Sequence, residues 1–255
     1  MHRLPWIALA CTLPSFAWAG SMQLRTTDGH TVSAESWGTG PHGVVLIHED
    51  GGDRAGWSDL AATLSQNQFR VVAIDLRGHG ATGGTIAEED YPKMVADVAA
   101  AVTWLDSKGV DDVGLVGAEL GANLALATMA ANQDIDTAVL LSPSLSANGV
   151  RVSGALDKLG RRPLLLVASK QDSSGARAAS LISDKAAGPK HLALYDGTAA
   201  GRRMLNTAPE LEGLVVSWLN GTFLQANDPQ AASRGQVDTK VDEIETSGER
   251  YEDRD

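Results

Sequence analysis

Gly117-Ala118-Glu119-Leu120-Gly121 lies between the apolar run "DVGLV" and a second one, "ANLALA". Glycines spaced this way suit a tight passage from strand into helix, because they accept backbone angles and close approaches that a Cβ forbids. The residue at the centre of this turn is Glu119. Its carboxylate can attack carbon to form an ester, carry a proton, or pair with a cation. Other acids follow other apolar runs in the same manner: Glu49 and Asp50 come after "GVVLIH", and Asp172 after "PLLLVASKQ".

The elements that must position these groups alternate along the chain. "MQLRTTDGHTVSAESWG" reads as a hairpin turning at Asp28-Gly29, followed by the short apolar strands "GVVLIHE", "FRVVAIDL", "DVGLVGA", "TAVLLSP", "PLLLVAS" and "HLALYDG". Between them lie helical stretches, "RAGWSDLAATLSQNQ", "YPKMVADVAAAVTWLDSKG", "GANLALATMAAN", "GARAASLISDKAAG" and "APELEGLVVSWLNG". Buried strands separated by helices imply an α/β fold: a mostly parallel, doubly wound sheet of about eight strands with helices on both faces and the hairpin at one edge. Ligands of such sheets bind at the carboxyl ends of the strands, where the acids fall.

The segments "LIHEDGGDRAGW", "AIDLRGHGAT", "GLVGAELGANLAL", "VASKQDSSGARAA" and "LYDGTAAGRRML" occur in the order and spacing of the α/β-hydrolase family. The chain resembles its small capless members, similar to dienelactone hydrolases and bacterial esterases, over roughly residues 22–222. About twenty residues separate "LLSP" from "RRPLLLV", too few for a large cap domain. The resemblance places Gly117 and Gly121 in the frame of the nucleophile elbow and Glu119 at the position of its serine. It makes Leu120 a backbone donor to the oxyanion, matches Asp172 to the acid of the catalytic triad, and puts Ala200 where the histidine base belongs. Glutamate cannot act as a serine alkoxide and alanine cannot move a proton. Ordinary ester hydrolysis is therefore not expected.

His48-Glu49-Asp50 matches the oxyanion loop, with a side chain where the family commonly has glycine. His48, and His79 in "RGHG", are expected to be structural; His30, His42 and His191 are expected to be exposed. Glu49, Asp50, Glu119 and Asp172 are placed by the resemblance near one shallow pocket. Four carboxylates there would repel, so that some stay protonated or a cation compensates them. The spacing is not a recognised calcium motif, Glu49 and Asp50 are expected to face solvent or cap the next helix, and neither a metal nor a cofactor is expected.

Composition bounds the rest. The chain has 255 residues, 43% of them hydrophobic, and a formal net charge of −11, which fits one globular domain and excludes a nucleic-acid partner. Residues 1–19, with a basic start, a short apolar run and Ala17-Trp18-Ala19, read as a signal peptide, and export to the periplasm or medium is expected. No stable transmembrane anchor is expected. Cys11 lies within this segment, and a lipoprotein anchored through it is the alternative. Residues 20–224 are then the hydrolase-fold domain and 225–255 an acidic tail with too few apolar residues to order itself. Three functions fit: a non-catalytic pseudo-hydrolase binding an unknown small molecule or an envelope protein, a hydrolase with residual or carboxylate-based activity, and a structural or interaction protein.

Overall fold

The computed structural model describes residues 20–227. The expected signal peptide, with Cys11, and residues 228–255 of the expected tail lie outside the described residues. β1 (Gly20–Arg25) and β2 (Thr31–Trp37) form the expected hairpin, closed at Gly29, whose φ of 89° requires the freedom of glycine. β3 (His42–Ile47), α1 (Ser58–Gln66), β4 (Phe69–Ile74), α2 (Val95–Asp106), β5 (Asp112–Ala118), α3 (Leu120–Ala131) and β6 (Thr137–Leu141) then alternate. A two-stranded hairpin, β7 (Ser146–Ala147) and β8 (Val150–Arg151), and the short α4 (Ser153–Leu156) fill the interval where a cap would sit. β9 (Leu164–Ser169), α5 (Ser173–Lys185), β10 (Lys190–Tyr195), α6 (Met204–Thr207) and α7 (Pro209–Asn227) complete the domain.

Eight strands form one sheet in the order β1-β2-β4-β3-β5-β6-β9-β10. The pairs β1–β2 and β2–β4 are antiparallel, and all the others are parallel. β5, β6 and β9 are buried along their whole length, as their Val- and Leu-rich sequences demand when helices cover both faces. On one face α2, α3 and α5 pack against Val45, Ile47, Leu115 and Leu140. On the other, α1 and α7 pack against Val44, Leu46, Val116 and Val139. Successive residues of a strand thus feed opposite cores, and each buried Val or Leu contributes about 1.5–3 kcal/mol.

From β3 the chain winds outward to β4, whereas from β5 it winds the other way to β6. Two neighbouring strands that lead in opposite directions leave a crevice at their carboxyl ends. His48 follows β3 there, and Glu119 follows β5.

Candidate ligand-binding cleft at the strand ends

The elbow is built by the two glycines. A Cβ on Gly117 would lie 2.2 Å from the carbonyl oxygen of Gly121, and a Cβ on Gly121 would lie 2.2 Å from that of Ile47. Neither clash has a soft partner, so the strand-to-helix turn admits only glycine at both places. Glu119 between them takes φ 49° and ψ −108°, a strained conformation for a residue with a side chain. Its N–H donates to Leu141 O at 2.9 Å, while Ala122 and Asn123 donate to its carbonyl. Leu120 is the first residue of α3, so its N–H precedes the helix's own hydrogen-bond ladder.

Ala200 sits on a loop pinned on both sides. Ser169 Oγ donates to Ala199 O at 2.5 Å, and Gly201 N donates to Ser142 Oγ at 2.9 Å. Gly201 has φ 55°, and a Cβ there would come within 2.8 Å of Glu119 Oε1. The glutamate side chain therefore lies along this loop, beside the alanine. Its nearest cation is Arg203, with Nη2 3.8 Å from Glu119 Oε1 and the two side chains 74% and 41% exposed respectively. Burial raises the Glu119 pKa, Arg203 opposes that, and the charges of Glu49 and Asp172 add to it.

Three of the four carboxylates, Asp50, Glu119 and Asp172, border one cleft, and Glu49 does not. Glu49 turns away to Arg202, whose Nη2 and Nε donate at 2.8 and 3.4 Å; burial opposes its ionisation, yet this pairing holds it below the usual range. Against expectation Glu49 neither faces solvent nor caps a helix; Asp53 caps the next turn by accepting from Gly56 N. Asp50 borders the cleft, half exposed, and accepts from Tyr91 Oη at 3.1 Å and Asn148 Nδ2 at 3.0 Å, with His79 Nε2 at 2.9 Å. Burial works against its charge and these bonds outweigh it, so its pKa is lowered. Asp172 caps α5, accepting from Gly175 N at 3.1 Å and from Ser174 Oγ at 3.0 Å. Asp172 and Glu119 face one cleft without a hydrogen bond between them. Among the described residues no group of three or more His, Cys, Asp or Glu side chains is arranged to hold a metal ion.

The histidines are occupied as well. His48 is fully buried; its Nε2 accepts from Leu76 N at 3.0 Å, which leaves Nδ1 to donate to Glu49 O at 2.6 Å. Burial lowers its pKa, so it is a neutral strut. His79 lies between Arg77 O and Asp50. His30 and His191 are exposed, but His42 is not: its Nδ1 is 2.8 Å from Asp112 in a largely buried pair. A charged partner at the start of the neighbouring strand β5 drew this histidine inward.

The cleft holds about 340 Å³ and is bordered by Asp50, Glu119, Leu120, Ser142, Asn148, Asp172 and Ala200. Ser142 and Asn148 were not singled out by sequence. Asn148-Gly149 is a hairpin signal, and both residues have positive φ, so the β7–β8 hairpin was legible there. Ser142, also at positive φ, carried no signal of its own.

Residues 44–247 match the family model described as "Alpha/beta hydrolase family". The chain belongs to that family. This α/β-hydrolase-fold chain is 30% identical over 126 residues to the dihydrolipoyllysine-residue acetyltransferase component of an acetoin-cleaving system from Cupriavidus necator, an alignment spanning 49% of this chain and 33% of the other. It is 35% identical over 91 residues to mouse protein phosphatase methylesterase 1, spanning 35% and 24% respectively. The chain thus aligns with about a third or less of the length of these curated relatives. In structure it is similar to an esterase of Pyrococcus furiosus (TM-score 0.70, 17% identity, 81% of this chain and 93% of that one). It is also similar to an esterase of Exiguobacterium antarcticum (TM-score 0.63, 14% identity, 79% and 100%). Identities this low establish the shared fold alone.

The α/β-hydrolase scaffold is present, with Glu119 at the strand-to-helix turn and Ala200 on the loop beside it. The described cleft offers fixed carboxylates, hydroxyls and backbone donors at the start of α3. Neither strand-end histidine is placed as a base for the cleft hydroxyls. Such an arrangement can orient and bind a small polar molecule.

Proposed function

We propose that this chain is an exported, non-catalytic member of the α/β-hydrolase family that binds a small polar ligand, or a side chain of an envelope partner, in the cleft at the elbow. The observation that supports the reading is the arrangement of the residues at the elbow and the neighbouring loop. Glu119 stands at the nucleophile position with its side chain laid along the loop that carries Ala200, and His48 and His79 are both engaged elsewhere. Without a hydroxyl or thiol next to a base, acyl transfer has neither attacker nor proton carrier. A second reading rests on Glu119 itself: its half-exposed carboxylate attacks a saturated carbon, opening an epoxide or displacing a halide, and leaves an ester that no histidine-activated water relieves.

The mature chain, incubated with short-chain aryl esters, is expected to release no alcohol above a heat-denatured control and to take no fluorophosphonate label. Intact mass measured after exposure to excess of a small epoxide or alkyl halide separates the two readings: an unchanged mass fits the binding protein, and an adduct mapped to Glu119 fits the stalled ester. Turnover abolished by Glu119→Gln would overturn the non-catalytic reading.

A further inference from the structure

Away from the cleft, α4, α5, the carboxyl-terminal part of α3 and the β7–β8 hairpin enclose a groove on the outer side of the domain. Leu145, Val152, Leu156, Leu181 and Ile182 line one part of it, with a volume of about 250 Å³, and Leu145 is 48% exposed. Ala127, Ala130, Ala131, Ala155 and Lys158 line the adjoining part, of about 440 Å³, and the two parts share Arg151 and Ser153. No acid lines either part, although the chain carries a net charge of −11. Arg151, Lys158 and Lys185 border the groove, and among the described residues none has an acidic partner within ion-pair distance. An apolar floor edged by unpaired cations fits an amphipathic acidic segment.

The chain contains one. After Asn227 come 28 residues with nine Asp or Glu against four Lys or Arg, and within them "VDTKVDEIE" spaces Val237, Val241 and Ile244 by four and three, with Asp238, Asp242, Glu243 and Glu245 between and beside them. In helical register that spacing sets the three apolar side chains in one line and leaves the acids flanking it. The groove offers these three apolar side chains a surface on which to be buried. Position agrees as well. Trp218 of α7 donates to Thr137 at the start of β6, so α7 runs toward the amino ends of the strands. Lys158 precedes β9 and Lys185 ends α5 just before β10, which places both at that same edge of the sheet. Nine residues, 228–236, lie between the end of α7 and Val237, a span of up to about 30 Å when extended.

We infer that residues 237–245 dock in the groove between α4 and α5 of the same chain, with Val237, Val241 and Ile244 on its apolar floor and the acids against Arg151, Lys158 and Lys185. The β7–β8 hairpin walls both this groove and the elbow cleft, where Asn148 holds Asp50, so the docked segment also braces the mouth of the cleft. This does not depend on what the cleft binds.

Zero-length carbodiimide cross-linking of the full mature chain, mapped by mass spectrometry in the monomer fraction, tests it. Lys158 and Lys185 are expected to cross-link to acids between 238 and 245 severalfold more often than Lys93, Lys108 or Lys170 do, and Val241→Asp with Ile244→Asp is expected to remove that preference. Arg151→Glu together with Lys158→Glu is expected to raise amide exchange in 237–245, read against unchanged exchange in β5 and β6 as proof that the fold persists. Cross-links spread evenly over all lysines would overturn the inference. So would cross-links found only in dimers and growing with concentration, which would assign the groove to a second copy.

Discussion

Two groups of charges lie at the carboxyl edge of the sheet, and they are held in opposite ways. Beside β4, Arg77 donates to Asp97 at 2.6 and 3.0 Å and to Asp28 at 2.7 Å, with Arg77 and Asp97 buried, and Asp75 is paired with Arg54 while accepting from Arg54 N and Ala81 N. The guanidinium loses solvation there, but its two carboxylates more than restore the preference for the charged form. At the elbow Glu119 has one guanidinium at 3.8 Å, itself mostly in solvent. The charges beside β4 have several close partners each, whereas the Glu119 carboxylate is loosely held.

The largest test of that contrast is Asp97→Ala. It removes the buried one of the two carboxylates that hold the Arg77 cation and is expected to cost about 3 kcal/mol, a fall in Tm of roughly 6–12 °C for a domain of this size. Glu119→Ala removes an exposed pair and should change stability by under about 1 kcal/mol. Urea titrations that gave the two substitutions equal costs would end the distinction.

Asp172 lies between the extremes, because its place in the resemblance and its place in the structure differ. It matches a triad acid, yet its oxygens cap α5. Asp172→Ala is expected to cost about 1 kcal/mol through the lost cap, and Asp172→Asn only a few tenths, since asparagine caps as well. Equal losses in thermal melts of the two variants would mean that the charge, rather than the cap, matters.

Most of the scaffold was legible because its signals are local. The hairpin at Asp28-Gly29, six strand cores and five helices follow from periodicity and punctuation within windows of about ten residues. The glycine frame of Gly117 and Gly121 was legible too, since a close backbone approach leaves no other residue. What sequence could not supply was partnership across long separations. Glu49 and Arg202 are 153 positions apart, and Asp50 and Asn148 are 98 apart. Three of the four expected acids, Asp50, Glu119 and Asp172, border one cleft, and only Glu49 is drawn away, by the Arg202 pairing; both pairings are set by where loops from different strands meet. The same limit hid the Asp112 partner of His42, 70 positions away.

Glu119→Gly sharpens the elbow's side of the contrast. The φ of 49° costs a residue with a Cβ of order 1 kcal/mol, which glycine does not incur in the folded state, while its freer unfolded chain returns part of that. A net gain of a few tenths to about 1 kcal/mol is expected from chemical denaturation, and a loss would show that the glutamate side chain is a net stabilising contact.

The smallest effect isolates the charge alone. Burial raises the Glu119 pKa in the folded protein, so the native state holds this proton more tightly than the unfolded chain does. Stability must then fall as pH climbs from the ordinary glutamate range through the raised folded value, and the penalty is complete above it. Glu119→Gln cannot ionise, so it should gain on the wild type across that interval, by under about 1 kcal/mol given the exposure of the site, and keep a constant offset at lower and higher pH. Arg203 opposes the shift, so Arg203→Ala should enlarge the gain and carry it to higher pH. Thermal melts at half-unit pH steps for the wild type and the three variants, Glu119→Gln, Arg203→Ala and their combination, decide it. Parallel wild-type and Glu119→Gln curves would mean that the elbow carboxylate is as well solvated folded as unfolded, and that the contrast with the buried Arg77 group lies in pairing alone.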